Sequence, residues 1–385
     1  MKRMAVIFNS DYQSWPMGGM ITYVTQTVAM LADSCEIELW GCSVDGAEPR
    51  PIQVRGITYP IHVNTRAKTH KKLVPNVARC FWGNLAGSSR FRADRYDILY
   101  FHLSASTLGW FAGEFLRGSW RRKKWPLVIF HQHGMAYRNS IGDRLNYLAM
   151  DLADLVFFTT DRQGMEHHRR HIHNPDLIWM PSMVDTDYFT PVLAEEKTAL
   201  RRTLDIPGDK QVFIYTGRIT GWKNPLLLLD AFEIYQKRNN GQGYLVYVGD
   251  GDLMNELRTR IAQQGLAECV LLTGTLDRAG IRDLLRAADC FVLPSKGEGV
   301  SVSTLEAMAA GLPVAAFLVE GMAGLVEPES GILIADQTAQ ALADGMERLV
   351  REQSGFDPVH TAMQYSIPRV RERMLRAIGR KEKNS

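Results

Sequence analysis

A single stretch, Lys296-Gly-Glu-Gly-Val-Ser-Val-Ser-Thr-Leu-Glu-Ala-Met-Ala-Ala-Gly-Leu-Pro-Val314, leaves this chain few folds to choose from. Before it, the apolar run Cys290-Phe-Val-Leu-Pro294 reads as a buried strand. After the loop a helix begins, and it stops at Gly311 with Pro313 behind, the usual C-terminal punctuation. Glu298 therefore falls in the loop at the carboxyl end of a strand, and Glu306 in the early turns of the next helix. Open α/β sheets bind their ligands along that edge. The N–H groups from Ser301 to Thr304 face the same space, where a helix start favours an anion. Two carboxylates around an anion-accepting helix start suit a ligand that is part phosphate and part polyol.

The rest of the chain alternates in the same way. Met4–Phe8 reads as a first strand, followed by Gly18-Gly19 and an apolar-periodic helix from about Ile21 to Leu31. Further strands are expected at Ile37–Trp40, Ile98–Phe101, Leu127–Phe130 and Val156–Thr159. The segment Val184-Asp-Thr-Asp-Tyr-Phe-Thr-Pro191 has neither period and reads as a connection between two halves. A second series follows: strands at Val212–Tyr215, Leu245–Val248, Val270–Leu272 and Cys290–Leu293, separated by helices near 225–237, 253–264 and 279–287. Two α/β halves around a cleft are expected. The length of 385 residues and the 45% hydrophobic content support two sizeable cores.

Glu-x7-Glu followed by Ala-Met-Ala-x-Gly-x-Pro-Val resembles the signature of the retaining glycosyltransferase family 4, built on the GT-B fold. The resemblance extends over almost the whole chain. It implies an α/β protein of two Rossmann-like domains: an acceptor domain over 1–187, a nucleotide-sugar donor domain over 188–360, and a final helix in 361–385 that returns to the first domain. The segment Tyr365-Ser-Ile-Pro-Arg-Val-Arg-Glu-Arg-Met-Leu-Arg376 resembles that helix. The implied activity is transfer of a sugar, with its anomeric configuration retained, from a nucleoside diphosphate donor such as a UDP-sugar. The implied acceptor is a saccharide or lipid-linked saccharide in the assembly of polysaccharide or lipopolysaccharide.

In the donor half, Thr216-Gly217-Arg218-Ile-Thr-Gly-Trp-Lys223-Asn-Pro225 follows a strand, and Arg218 and Lys223 share one short loop. Arginine offers a planar fork and lysine a point charge, a pairing suited to a diphosphate leaving group. The family usually has Lys-Gly where this chain has Lys223-Asn224-Pro225, and proline suits a first helical position. Val248-Gly-Asp-Gly-Asp252 ends another strand, where Gly249 and Gly251 permit close backbone approach. The resemblance assigns Thr273-Gly274 and Pro294-Ser295 to the nucleobase, Gly299 to Thr304 to the phosphates, Glu306 to the ribose hydroxyls and Glu298 to those of the sugar. In the first half, Gly18 and Gly19 resemble the donor-facing loop. Phe130-His131-Gln-His133-Gly134 resembles the block facing the transferred sugar, with His133 the better match and His131 the alternative. Catalysis would then rest on His133, Arg218, Lys223 and Glu298, with no enzymic nucleophile, because the leaving phosphate assists the incoming hydroxyl.

Several classes are disfavoured. A net charge of +3 marks no general nucleic-acid binder. Five cysteines without a C-x-x-C give no zinc signature, and they read as reduced thiols in a cytoplasmic protein. Asp185-Thr-Asp187 and Asp250-Gly-Asp252 have the Asp-x-Asp form that holds a divalent metal in other glycosyltransferases. The basic pair already supplies positive potential, so no metal and no cofactor is expected. His167-His168-Arg-Arg-His171-Ile-His173 has no acidic or cysteine partner following at ligand spacing and reads as an exposed basic face. A dinucleotide-dependent oxidoreductase would need a G-x-G-x-x-G that Gly18-Gly19 does not supply. A GT-B epimerase and a non-catalytic sugar-nucleotide-binding relative are the alternatives.

Basic residues are concentrated in the first half, where residues 1–190 hold 22 Lys and Arg against 17 Asp and Glu. Arg66, Lys68, Lys71, Lys72, Arg79, Arg90 and Arg92 lie in a stretch without acids, and Arg121 to Lys124 lie between Trp120 and Trp125. Such clusters suit docking on anionic lipid at the inner face of the cytoplasmic membrane, at ~1 kcal/mol per well-placed cation. A solvated basic surface accounts for them equally.

Overall fold

The structure, a computed structural model, describes residues 1–8, 19–44, 51–67, 81–82, 84–86, 92–102, 107–118, 125–133, 141–159, 162–173 and 176–384. Gly18, Gly134, Lys68, Lys71, Lys72, Arg79, Arg90 and the run Arg121 to Lys124 lie outside the described residues. The chain divides into two compact units, one formed by Met1–Pro181 with Val370–Ser385 and the other by Ser182–Arg369.

The first unit is built on strands β1 (Lys2–Phe8), β2 (Cys35–Val44), β5 (Ile61–Ala67), β6 (Ile98–His102), β7 (Leu127–Gln132), β8 (Leu155–Phe158) and β9 (Leu177–Trp179), with a β3–β4 hairpin (Ile52–Val54 and Ile57–Tyr59) beside them. Their order is β5-β2-β1-β6-β7-β8-β9. Every pairing is parallel. Parallel sheets are covered on both faces, so their strands are apolar almost throughout rather than alternating. Ile98 to Phe101 are accordingly all buried, as are Val128 to Phe130 and Leu155 to Phe158. The order reverses direction between β1 and β6, which makes that point of the sheet's carboxyl edge the switch point.

The second unit carries β10 (Gln211–Thr216), β11 (Gly243–Val248), β12 (Val270–Gly274), β13 (Cys290–Leu293), β14 (Val314–Phe317) and β15 (Gly331–Ile334). Their order, β12-β11-β10-β13-β14-β15, is the doubly wound 3-2-1-4-5-6 arrangement, with its switch point between β10 and β13. The helix Val302–Ala309 ends as its sequence expects. Gly311 takes φ +87, its N–H donates to Met308 O at 2.9 Å, and Leu312 N–H donates to Ala307 O at 2.9 Å. This is the paired hydrogen-bond closure that a left-handed glycine permits.

The segment expected to be an irregular connection is tied down within the second unit. Val184 N–H donates to Tyr365 O at 2.9 Å and Ile367 N–H donates to Val184 O at 3.1 Å, while Met183, Val184 and Phe189 are buried. Asp185 pairs with Arg278 at 3.0 Å. The helix Ile367–Asn384 places its residues from Val370 onward in the first unit. Val370, Met374, Ala377 and Ile378 are buried there at helical spacing. Arg371 fastens it by donating to Met30 O at 2.9 Å and to Ser34 Oγ at 2.8 Å.

Candidate active site

The candidate site in the second unit is made of loops at the carboxyl ends of β10, β11 and β13. Lys223 and Glu298 form an ion pair there, with side chains 17% and 12% exposed. The two come from loops 75 residues apart in the sequence, and Trp222 joins those loops. Its indole N–H donates to Gly297 O at 2.8 Å, and its carbonyl accepts Lys296 N–H at 3.0 Å. Behind Glu298 runs Gly321 at φ +84, where a Cβ would stand 2.4 Å from the carbonyls of Glu298 and Gly299. A side chain at 321 would push the Glu298 loop away.

The loop holding Arg218 is fixed from beneath. Tyr215 Oη donates to Arg218 O at 2.7 Å, Ile219 N–H to Asp250 O at 3.0 Å, and Leu253 N–H to Ile219 O at 3.0 Å. The glycines of the 249–251 turn are explained by that crossing. A Cβ on Gly249, at φ +136, would lie 1.9 Å from Gly217 O, and one on Gly251 would lie 2.3 Å from Ile219 O. Their close approach is to the Arg218 loop itself. Lys223 is followed by Asn224 at φ 60 and by Pro225 at the first position of the helix Pro225–Arg238, so the chain turns sharply into that helix.

The helix Val302–Ala309 is capped by Ser301, whose side chain accepts from Thr304 N–H at 3.3 Å. Ser303 Oγ lies 3.2 Å from Ser301 Oγ, Val300 is buried, and Gly299 has open space where a Cβ would be. Thr216, Thr220, Ser295 and Thr304 each keep a buried side-chain hydroxyl with no hydrogen-bond partner among the described residues. Buried hydroxyls are ordinarily satisfied, so four of them around one sheet edge mark a place for a polar ligand. Thr273 Oγ1, by contrast, donates to Tyr247 O at 3.2 Å and bonds Gly274 O at 3.0 Å, while Gly274 O accepts Gly249 N–H at 2.8 Å. Burial pushes the Glu306 carboxyl up to about 7, with Arg278 drawing it part of the way back.

One aspartate of each Asp-x-Asp sequence makes a contact within the protein. Asp185 pairs with Arg278 as above, and Asp250 Oδ1 accepts Gly251 N–H at 2.7 Å. In the first unit the structure gathers His102, His131 and His133 at the ends of β6 and β7. His131 is fully buried and bonds Tyr100 Oη through Nδ1; His133 keeps some surface, and its Nε2 meets His102 Nδ1 at 2.7 Å. Burial pushes the His133 imidazole down to about 3 and holds His102 and His131 well below the ordinary range, so the rings are neutral. His102 was not singled out in the sequence, although it ends a strand directly opposite His131. The reading of 167–173 as an exposed basic face requires correction at His168, which is 0% exposed. It contacts Tyr147 Oη at 3.1 Å and stacks on Phe158 with ring centroids 5.0 Å apart. Gly19 opens the helix Gly19–Leu31.

Residues 196–366, nearly all of the second unit, match the family model described as glycosyl transferases group 1. The chain is 26% identical over 355 residues to a D-inositol 3-phosphate glycosyltransferase of Jonesia denitrificans, covering 85% of this chain and 81% of that one. It is 34% identical over 159 residues to a putative teichuronic acid biosynthesis glycosyltransferase of Bacillus subtilis, covering 41% and 38% of the two chains. Among solved structures it is similar to sucrose-phosphate synthase from Thermosynechococcus elongatus, with TM-score 0.77, 19% identity and full coverage of both chains. It is also similar to the Anabaena protein HepE in complex with UDP and glucose, with TM-score 0.72, 17% identity and coverage of 98% and 100%. These likenesses show the GT-B fold.

Proposed function

We propose that this glycosyltransferase, whose second unit is of the group 1 type, moves a hexose from a UDP-sugar onto a saccharide or lipid-linked saccharide acceptor with retention of configuration. The observation that carries the reading is the Lys223–Glu298 pair beside a serine-capped helix start, on loops whose glycines and Trp222 leave little freedom. Lysine has three donors. With one held by Glu298, Lys223 keeps others for phosphate oxygens, and Glu298 keeps lone pairs for the hydroxyls of the sugar. Arg218 supplies the second cation, and the N–H groups at the helix start supply the third source of positive potential.

In the proposed step the bond between the anomeric carbon and the diphosphate oxygen breaks. The acceptor oxygen bonds the same face of that carbon, and its proton passes to the departing phosphate oxygen. Charge develops on the diphosphate, where Arg218, Lys223 and the helix start act, so no metal or cofactor is assigned to the step. Glu306 takes the ribose hydroxyls, Thr273, Gly274, Pro294 and Ser295 border the base, and Gly299 to Thr304 the phosphates. By the family resemblance alone, His133 is assigned to a hydroxyl of the transferred sugar and Gly18 and Gly19 to the donor-facing loop. The proposed setting is cell-surface polysaccharide assembly, with the basic first half docked on an anionic membrane from the cytoplasmic side. No helix among the described residues is long and apolar enough to cross a membrane.

The reading is tested by a thermal-shift panel of nucleotide sugars. A true donor at a hundredfold excess over its Kd stabilises by ~2.7 kcal/mol. A panel in which UDP-sugars give no shift while another nucleotide's sugars do would replace the UDP assignment, and no shift with any donor would overturn the donor site.

A further inference from the structure

The carboxyl edge of the first unit's sheet carries a cluster that sugar transfer uses only in part. His102 closes β6, His131 is its partner across the ladder, and His133 follows two residues later. The rings lie nearly parallel. Centroids are 4.2 Å apart for His131 and His133, 5.0 Å for His102 and His133, and 5.5 Å for His102 and His131, with no interplanar angle above 21°. Tyr23 packs edge-on against His131 and His133 at 4.8 Å.

The hydrogen bonding of the cluster is incomplete. His102 and His131 are 1% and 0% exposed, and the Nε2 of each has no partner among the described residues. His102 Nδ1 and His133 Nε2 face each other at 2.7 Å. Only one of these two nitrogens can carry a hydrogen between them, so the contact joins one donor to one lone pair. One ring nitrogen from each of the three histidines lies within 4.8 Å of the others. Nitrogens bound to one tetrahedral Zn²⁺ at 2.0–2.1 Å stand about 3.4 Å from each other. One contact, at 2.7 Å, is shorter than that value and the others lie within 4.8 Å, so an ion would have to part His102 from His133 and turn His131 out of its stack on His133.

We infer that His102, His131 and His133 form a binding site for one borderline transition-metal cation, Zn²⁺ or a close analogue. Three neutral imidazoles are a donor set this class of ion favours. Tyr100 Oη on His131 Nδ1 holds that ring, and with Nδ1–H as the donor in this contact His131 Nε2 presents its lone pair, as in metal-bound histidines with an outer partner. Three uncharged ligands leave the ion's charge uncompensated and a fourth position for water or an anion. The inference shares His133 with the proposed sugar transfer, but its test reads metal binding with no sugar nucleotide present, so the two readings fail separately.

The test is a titration of the full chain, stripped with a chelator, with Co²⁺ and then Zn²⁺. Visible d–d absorption reports coordination, and no substrate is present. One Co²⁺ per chain with tetrahedral-type bands, bleached by one equivalent of Zn²⁺, is expected. His133→Ala, at a partly exposed position, and His102→Gln, with folding checked by circular dichroism, should each weaken binding by about 10–100-fold or more. The double variant His167→Ala/His171→Ala should bind as wild type, which separates the cluster from the exposed i,i+4 pair. Absence of bands in folded wild type at millimolar Co²⁺ would overturn the inference. So would binding that survives His133→Ala and His102→Gln, or that is lost in the 167/171 variant.

Discussion

Replacing Glu306 with Gln removes a charge that burial disfavours while keeping the shape of the side chain, and its effect should depend on pH in a defined way. The Glu306 carboxyl is raised from 4.5 to about 7 in the folded chain. Between those values the folded state holds a proton that the unfolded state has released, so stability falls as pH rises through that window and levels off above about pH 7. At ~1.36 kcal/mol per pH unit the full penalty is about 3 kcal/mol. The side chain retains some surface, which trims it to about 2 kcal/mol. Glu306→Gln has no such term. Denaturant unfolding of both proteins from pH 4.5 to 8 should therefore show the variant gaining on wild type by about 2 kcal/mol, with most of the gain between pH 5 and 7. UDP binding should move the other way. An ionised carboxylate accepts both ribose hydroxyls, so wild-type affinity should rise by up to about tenfold per pH unit below pH 7. In the variant only the titration of UDP itself remains, and the ratio of the two affinities isolates Glu306. A stability difference that is flat from pH 5 to 8, with a pH-independent affinity ratio, would refute both the buried-carboxylate argument and the ribose assignment.

Arg218→Ala and Lys223→Ala should each lower turnover by a factor on the order of 10²–10³ in a single-turnover assay, as for loss of a transition-state charge contact; near-normal rates in both would remove the diphosphate assignment. Gly249→Ala should destabilise the second unit by about 1–3 kcal/mol, because its Cβ would meet Gly217 O at 1.9 Å and the Arg218 loop must move. UDP affinity measured by calorimetry should fall in the same variant, and an unchanged Tm would contradict the crossing-loop account. Charge reversal of Arg121 to Lys124 should weaken sedimentation with anionic vesicles at low salt and leave UDP affinity unchanged; equal vesicle binding by both proteins would support a merely solvated basic run.

Legibility in the sequence followed the range of the forces involved. The strand Cys290–Leu293 and the Gly311 closure depend on local composition and short-range hydrogen bonds, and each lies where its residues indicated, whereas the Ser301 cap takes up the Thr304 N–H expected to face a ligand. The β3–β4 hairpin escaped notice because its turn is Arg55-Gly56, both at positive φ, where Asn-Gly or Asp-Gly is the usual signal. Lys223 and Arg218 stood out as cations in a loop, yet nothing local told that Glu298 pairs with Lys223 or that Trp222 ties the two loops. Gly321 was invisible for the same reason, since its need for a bare Cα arises from Glu298 and Gly299 in another loop. His168 looked exposed among charged neighbours, but the single face of a short helix that meets Tyr147 and Phe158 decided its burial. His102 could have been found by noting that the apolar runs of β6 and β7 both reach a histidine at their carboxyl ends, His102 and His131.

The central claim is that Arg218, Lys223 and Glu298 serve the departure of a diphosphate from a sugar whose configuration is kept. The most direct measurement is proton NMR of the reaction with the UDP-sugar that the binding panel selects, following the anomeric proton of donor and first-formed product from the start of turnover. The account predicts a product with the donor's anomeric configuration, formed with release of UDP by wild type and lost on substitution of Lys223. An inverted product, or sugar transfer at the wild-type rate without Lys223, would contradict it.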